Sequence, residues 1–186
     1  MSSSPHAVLP WVVRRTRLPL LSLRCVDCRS GSATTGAGRF RVNANGKLLD
    51  VWLLVRCTSC DRTSKLTVHE RVPVRSVDPV ELRGYRVNDP ELVASKLLDP
   101  RLARRNRFAL DWTGAWRLDA RSAWPEGAWP VRVQVVFADP VPVRPERLLA
   151  EGLGLSRKEV LRRTRCAIPL RRPTSTGFTS TVVAGD

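Results

Sequence analysis

Four of the chain's five cysteines stand as two pairs, Cys25 and Cys28 in RCVDCRS and Cys57 and Cys60 in RCTSCDR. A C-x-x-C on a tight turn offers two thiolates to one ion, and two such pairs complete a tetrahedral sulfur site that suits zinc. Such a site is closed. No position is left for water or substrate, so its expected role is structural, not catalytic. Iron in the same site, or four free thiols in a reducing compartment, are the alternatives. A redox C-x-x-C needs a strand-to-helix setting and usually a single pair, which argues against that use. Cys166 stands alone and is read as a small buried hydrophobe.

Twenty-eight residues separate the pairs, so a hairpin must bring them together. Arg39 to Asn43 alternates, with Phe40 and Val42 on one face, and Asn45-Gly46 supplies a turn signal. Leu48 to Val55 is a strong strand former ending just before Cys57, and Lys65 to Val72 alternates again. This is the layout of a zinc ribbon with antiparallel hairpins, expected over residues 11–72 after a flexible tail at 1–10.

Residues 73–143 read as a mixed α/β linker and packing region. Asp89-Pro90 and Asp99-Pro100 each place an N-cap before a proline at the first helical position. Arg104, Arg105 and Arg107 are expected in solvent more readily than on phosphate. Trp112, Trp116, Trp124 and Trp129 are read as packing anchors between the two ends of the chain rather than base-stacking platforms, and residues 131–137 as a strand. His6 and His69 are read as isolated polar residues. No glycine-rich phosphate loop, metal-ligating histidine pair or nucleophile elbow occurs, so the sequence offers no catalytic residue, although it does not exclude an enzyme.

Residues 144–186 form the other informative segment. Glu146 to Glu151 predicts a short helix closed by Gly152 and Gly154, and Ser156 with Glu159 forms a capping box that opens a second. Arg157, Lys158, Arg162, Arg163 and Arg165 populate that helix, with 158, 162 and 165 expected on one face. From Arg144 to Arg172 there are nine basic and three acidic residues, an excess of six. The positive groups fit RNA phosphates, and equally a solvated amphipathic helix. GFTSTVV near the end reads as a possible edge strand.

The whole chain is basic, with 32 Lys and Arg against 17 Asp and Glu, a formal net charge of +15. That balance favours nucleic acid or an anionic surface as partner. No run of apolar residues is long enough to span a bilayer, no signal-peptide cleavage pattern opens the chain, and the expected location is cytoplasmic. Composition sets no oligomeric state.

Two resemblances follow from these motifs. FRVNANGKLLDVWLLVRCTSC, with the preceding C-x-x-C, the ERV of 70–72 and the ND of 88–89, resembles a bacterial family catalogued only as domain of unknown function 1062; in that family a tryptophan often stands where this chain has Ser64. RLLAEGLGLSRKEVLRR, residues 147–163, resembles the helix-turn-helix of the RNA-binding module of ribosomal protein S4. Leu148, Leu149, Leu153 and Leu155 fall on its packing positions, Ser156 and Arg157 on its LSR start, and Arg162 and Arg163 on its basic continuation. CAIPLRR replaces the usual valine-asparagine-glycine finish. The expected fold is therefore α+β: a zinc ribbon, short central helices with a strand, and a small basic S4-like helical module. The expected function is a zinc-containing protein that binds structured RNA, rRNA or tRNA, by backbone shape and charge through Arg157, Lys158, Arg162, Arg163 and Arg165. The alternative is a non-catalytic protein-interaction or assembly module stabilised by zinc on Cys25, Cys28, Cys57 and Cys60; DNA binding is a further possibility.

Overall fold

The computed structural model describes residues 8–120 and 129–185. The protein is a mixed α+β chain in two compact units: residues up to Arg17 and those from Gly114 onward form the first, and Leu18–Thr113 the second. Strand β1 (Val8–Arg15) opens the first unit. The second unit follows with β2 (Leu20–Ser22), β3 (Ser32–Asn45), β4 (Leu48–Cys57) and β5 (Thr63–Pro73). Helices α1 (Pro79–Val87), α2 (Pro90–Leu98) and α3 (Pro100–Arg105) and strand β6 (Ala109–Asp111) complete it. The first unit resumes with β7 (Trp116–Ala120), β8 (Val131–Phe137), α4 (Pro145–Leu153), α5 (Arg157–Arg163), β9 (Thr164–Cys166) and β10 (Phe178–Val182).

The second unit is a five-stranded antiparallel sheet, in the order β5-β4-β3-β2-β6. Period-2 alternation along β4 buries Leu49, Val51, Leu53 and Val55 and carries through to buried Cys57. The four aliphatic residues join Phe40, Leu66, Tyr85, Val93 and Leu97 in one core. Each helix opens on an Asp-Pro step: Asp78 accepts from the Val80 and Glu81 N–H groups, Asp89 from Glu91 and Leu92, and Asp99 from Arg101. The expectations at Asp89 and Asp99 hold. Asp78-Pro79 carries the same signature and opens α1, a helix the sequence reading lacked.

The β3–β4 connection is a two-residue loop, but it is Gly46-Lys47 rather than Asn45-Gly46. Asn45 pairs with Leu48, and Gly46 takes φ +59°. Glycine comes first in the loop, where positive φ is required, so the asparagine stays in the strand.

The first unit is a five-stranded mixed sheet, β7-β1-β8-β10-β9, in which β1 and β8 run parallel and the other pairs antiparallel. One face buries Leu9, Trp11, Val13, Val131, Val133, Val135, Phe178 and Val182. Leu148, Leu149 and Val160 are the buried side of α4 and α5. Gly152 lies inside α4, where a Cβ would sit 2.6 Å from Trp11 Cζ2, so close ring-to-backbone approach explains that glycine. Gly154 alone closes the helix, at φ +65°. The capping box at Ser156 and Glu159 is present, with both reciprocal hydrogen bonds.

The segments expected at 11–72, 73–143 and 144–186 cut across these units. Residues 8–15 form a strand that pairs with β7 and β8 in the first unit. The GFTSTVV strand is β10, which lies between β8 and β9 rather than at the sheet edge. His6, Trp124 and the first residues of the expected tail lie outside the described residues.

Candidate metal centre

Both cysteine pairs lie in the second unit, on two turns of matching backbone geometry. In the first, the Cys25 N–H donates to Ser30 O and the Arg29 N–H returns to Cys25 O; in the second, Cys57 donates to Arg62 O and Asp61 to Cys57 O. Arg29 and Asp61 hold equivalent left-handed positions, φ +61° and +58°. One knuckle precedes β3 and the other joins β4 to β5, so the β3–β4 ladder, with Ala33 opposite Cys57, sets them side by side.

The four Sγ atoms all lie within 4.8 Å of one another, with Cys25–Cys60 at 3.7 Å and Cys28–Cys57 at 3.5 Å. A tetrahedron of sulfurs about 2.3 Å from zinc has edges of about 3.8 Å, so the set fits one ion. Cys25 and Cys57 are buried, while Cys28 and Cys60 face solvent.

Backbone donors and mutual repulsion divide the thiols. Cys57 is lowered to about 6, first by the Ser59 N–H, then by that of Cys60; the Ser59 N–H lies 3.4 Å from the sulfur. Cys25 is lowered in the same way by the N–H groups of Cys28 and Asp27. The Arg62 N–H lowers Cys60, but the Cys28 sulfur, burial, and the Cys25 and Cys57 sulfurs outweigh it and push it up to about 12. A divalent cation removes that opposition, because it allows all four sulfurs to ionise together.

Polar ties join the knuckles independently of an ion. Arg62 donates to Asp27 at 2.6 Å, Ser59 Oγ lies 3.0 Å from Ser30 Oγ, and the Thr58 N–H reaches Ser32 O at 3.1 Å. Asp27 also raises the Arg62 guanidinium above its ordinary range, with smaller help from the Cys25 and Cys60 sulfurs. Such outer partners orient the ligands and offset the charge of a four-thiolate site.

The sequence model of one family, described as "Protein of unknown function (DUF1062)", matches residues 42–168. The chain belongs to this family. The match takes in Cys57 and Cys60 and reaches into both units of this DUF1062 member. No curated protein and no solved structure matches the chain.

The five basic residues read together in the DUF1062 chain do not share one surface. Arg157, Lys158 and Arg162 lie exposed on α5. Arg163 is only 8% exposed: its Nε donates to Val183 O at 2.8 Å, and its guanidinium lies 4.1 Å from the Trp129 ring centroid. It is a packing residue. The helix ends at Arg163, so Arg165 falls in β9 and is no longer in helical register with 158 and 162. Cys166, next to it, is half-buried.

A polar cluster in the second unit escaped the sequence reading. His69 Nε2 lies 3.1 Å from Tyr85 Oη, Tyr85 donates to Glu81 at 2.7 Å, and Lys96 pairs with the same carboxylate. Burial, then the Glu81 hydrogen bond, raises the Tyr85 phenol far above its usual range. The partners of His69 lie on α1 and α2, distant in sequence, so no local pattern marks the contact. Among the described residues no helix is long and apolar enough to cross a membrane.

Proposed function

We propose that this chain is a non-catalytic interaction module in which a structural zinc, bound by Cys25, Cys28, Cys57 and Cys60, holds the second unit as a zinc-ribbon-like platform. The convergence of four sulfurs from two matching knuckles carries the reading. A four-sulfur shell leaves zinc no open position, so the ion's contribution is to folding. Elemental analysis of the purified protein is expected to give about one zinc per chain, and Cys57→Ser to lose the metal. Iron in place of zinc, or full metal retention in that variant, overturns the assignment.

A second reading, in which the partner is structured RNA, is favoured by a specific observation: Arg157, Lys158, Arg162 and Arg165 stay exposed in a chain of net charge +15. Exposed guanidinium and ammonium groups contact phosphates without reading base sequence. The S4-like resemblance of 147–163 supports the same reading. Salt-dependent binding of a structured RNA by the zinc-loaded chain tests it. Absence of such binding, with a protein partner co-purifying, leaves the interaction module alone.

A further inference from the structure

Among the described residues, the first unit covers one face of its sheet with α4 and α5 and leaves the other open. Alternation along β1 and β8 turns Val8, Pro10 and Arg14, and Arg132, Gln134 and Val136, away from the buried side. Strand register puts Thr181 beside both Arg132 and Arg165, and Thr179 beside Gln134. At the opposite edge Arg14 and Arg117 pair with each other's strand positions, as Val12 does with Asp119. Among the described strand residues, the open face therefore carries four arginines and one acid.

These arginines fall into two states. Asp119 neutralises part of one pair: its carboxylate lies 3.0 Å from Arg14 Nε and 2.9 Å from Arg117 Nε. Arg132 and Arg165 have no ion pair among the described residues. They border a depression of about 510 Å³ that contains Thr179 and Thr181 and no acidic side chain. A second depression, of about 210 Å³, shares Arg132 and Thr179 and extends toward Val8 and Gln134.

We propose that this open face binds the sugar–phosphate backbone of RNA, with Arg132 and Arg165 on phosphates and Thr179, Thr181 and Gln134 on the ribose hydroxyls between them. The proposal rests on the RNA reading above and moves its centre from α5 to the sheet, taking Arg165 with it. Charge complementarity selects a polyanion. The neutral hydroxyl and amide groups set between the guanidiniums select one that alternates phosphate with a hydroxyl-bearing sugar. The outward positions named on these strands include no aromatic ring, so base stacking is not part of the binding.

The test uses the zinc-loaded full chain and a labelled RNA hairpin with a ten-nucleotide single-stranded loop, with its DNA counterpart and poly-glutamate as competitors, followed by anisotropy across a salt series. Arg132→Gln with Arg165→Gln is expected to weaken RNA binding about tenfold near 0.1 M salt and to reduce the salt slope by about 1.4, the loss of two single-strand phosphate contacts. Asp119→Asn, which releases Arg14 and Arg117, is expected to tighten binding and steepen the slope, a gain that misfolding cannot imitate. Lys158→Gln with Arg162→Gln is expected to weaken binding less than the sheet variant does. Equal binding by wild type and the sheet variant, or loss only in the α5 variant, overturns the sheet assignment while leaving the RNA reading standing. Equal competition by DNA or poly-glutamate overturns the choice of RNA.

Discussion

The two units organise their candidate surfaces in opposite ways. In the second, β3, β4 and β5 follow one another as antiparallel neighbours, and the ligands sit on turns whose own backbone hydrogen bonds fix their geometry. In the first, residues 8–13 pair in parallel with residues 132–137, so the sheet closes only when distant parts of the chain meet. Its basic side chains stand on a surface produced by that long-range register, with no local motif behind them. A site built from local turns carries its geometry with it, whereas one built from register exists only in the finished sheet. Metal loss should therefore act on one unit, and packing changes around Trp11 on the other.

The largest expected effect comes from stripping the proposed zinc. A bound structural zinc contributes folding free energy directly, on the order of several kcal/mol or more. Removal by a strong chelator is expected to strip hydrogen-exchange protection from the β4 amides of Leu49 to Val55, while those of Val131 to Val135 in β8 keep theirs. Equal loss in both strands would show that the units do not respond separately.

A smaller change should fall on the first unit. Gly152→Ala places a methyl 2.6 and 2.7 Å from Trp11 Cζ2 and Cζ3, and Trp11 is 1% exposed with no room to retreat. Overpacking of this kind costs about 1–3 kcal/mol. Gly84→Ala in the second unit meets Leu92 Cδ2 at 2.8 Å, the end of a flexible and only half-buried side chain, and should cost less. Chemical denaturation of both variants ranks them. A larger loss for Gly84→Ala would reverse the contrast.

The same division decides what the sequence made legible. The two C-x-x-C pairs, the hairpin strands, the Asp89 and Asp99 caps and the Ser156–Glu159 box are all patterns within a few residues, and each has a backbone reason. The turn at Gly46 was visible but misplaced by one residue, because Asn and Gly both tolerate positive φ and only the register separates them. Helix α1 was missed although Asp78-Pro79 marks its start; few of its residues are buried, so its apolar pattern is faint. The partners of β1, the interior position of β10, the burial of Arg163 under Trp129 and the His69–Tyr85 contact depend on pairing between remote segments. No local periodicity encodes them.

The smallest expected effect is a pH dependence confined to the second unit. Tyr85 gives its one proton to Glu81 at 2.7 Å, so His69 Nε2 is the donor in the 3.1 Å contact with Tyr85. Burial lowers the His69 pKa below its usual value; Lys96 and Arg105 act in the same direction and Glu81 against it. The unfolded chain, whose histidine titrates at about 6.5, therefore takes up its proton before the folded chain does. The contribution of His69 to stability is complete above that value and declines as pH falls toward the folded pKa, then changes no further. His69→Gln, which keeps an N–H donor for Tyr85, is expected to flatten the fall in second-unit stability between roughly pH 7 and 5. Acid weakening of the proposed zinc–thiolate site would occur in both proteins and cancel in their difference. Parallel pH profiles for the two, or a shallower fall in the wild type, would mean that the buried contact does not hold His69 neutral.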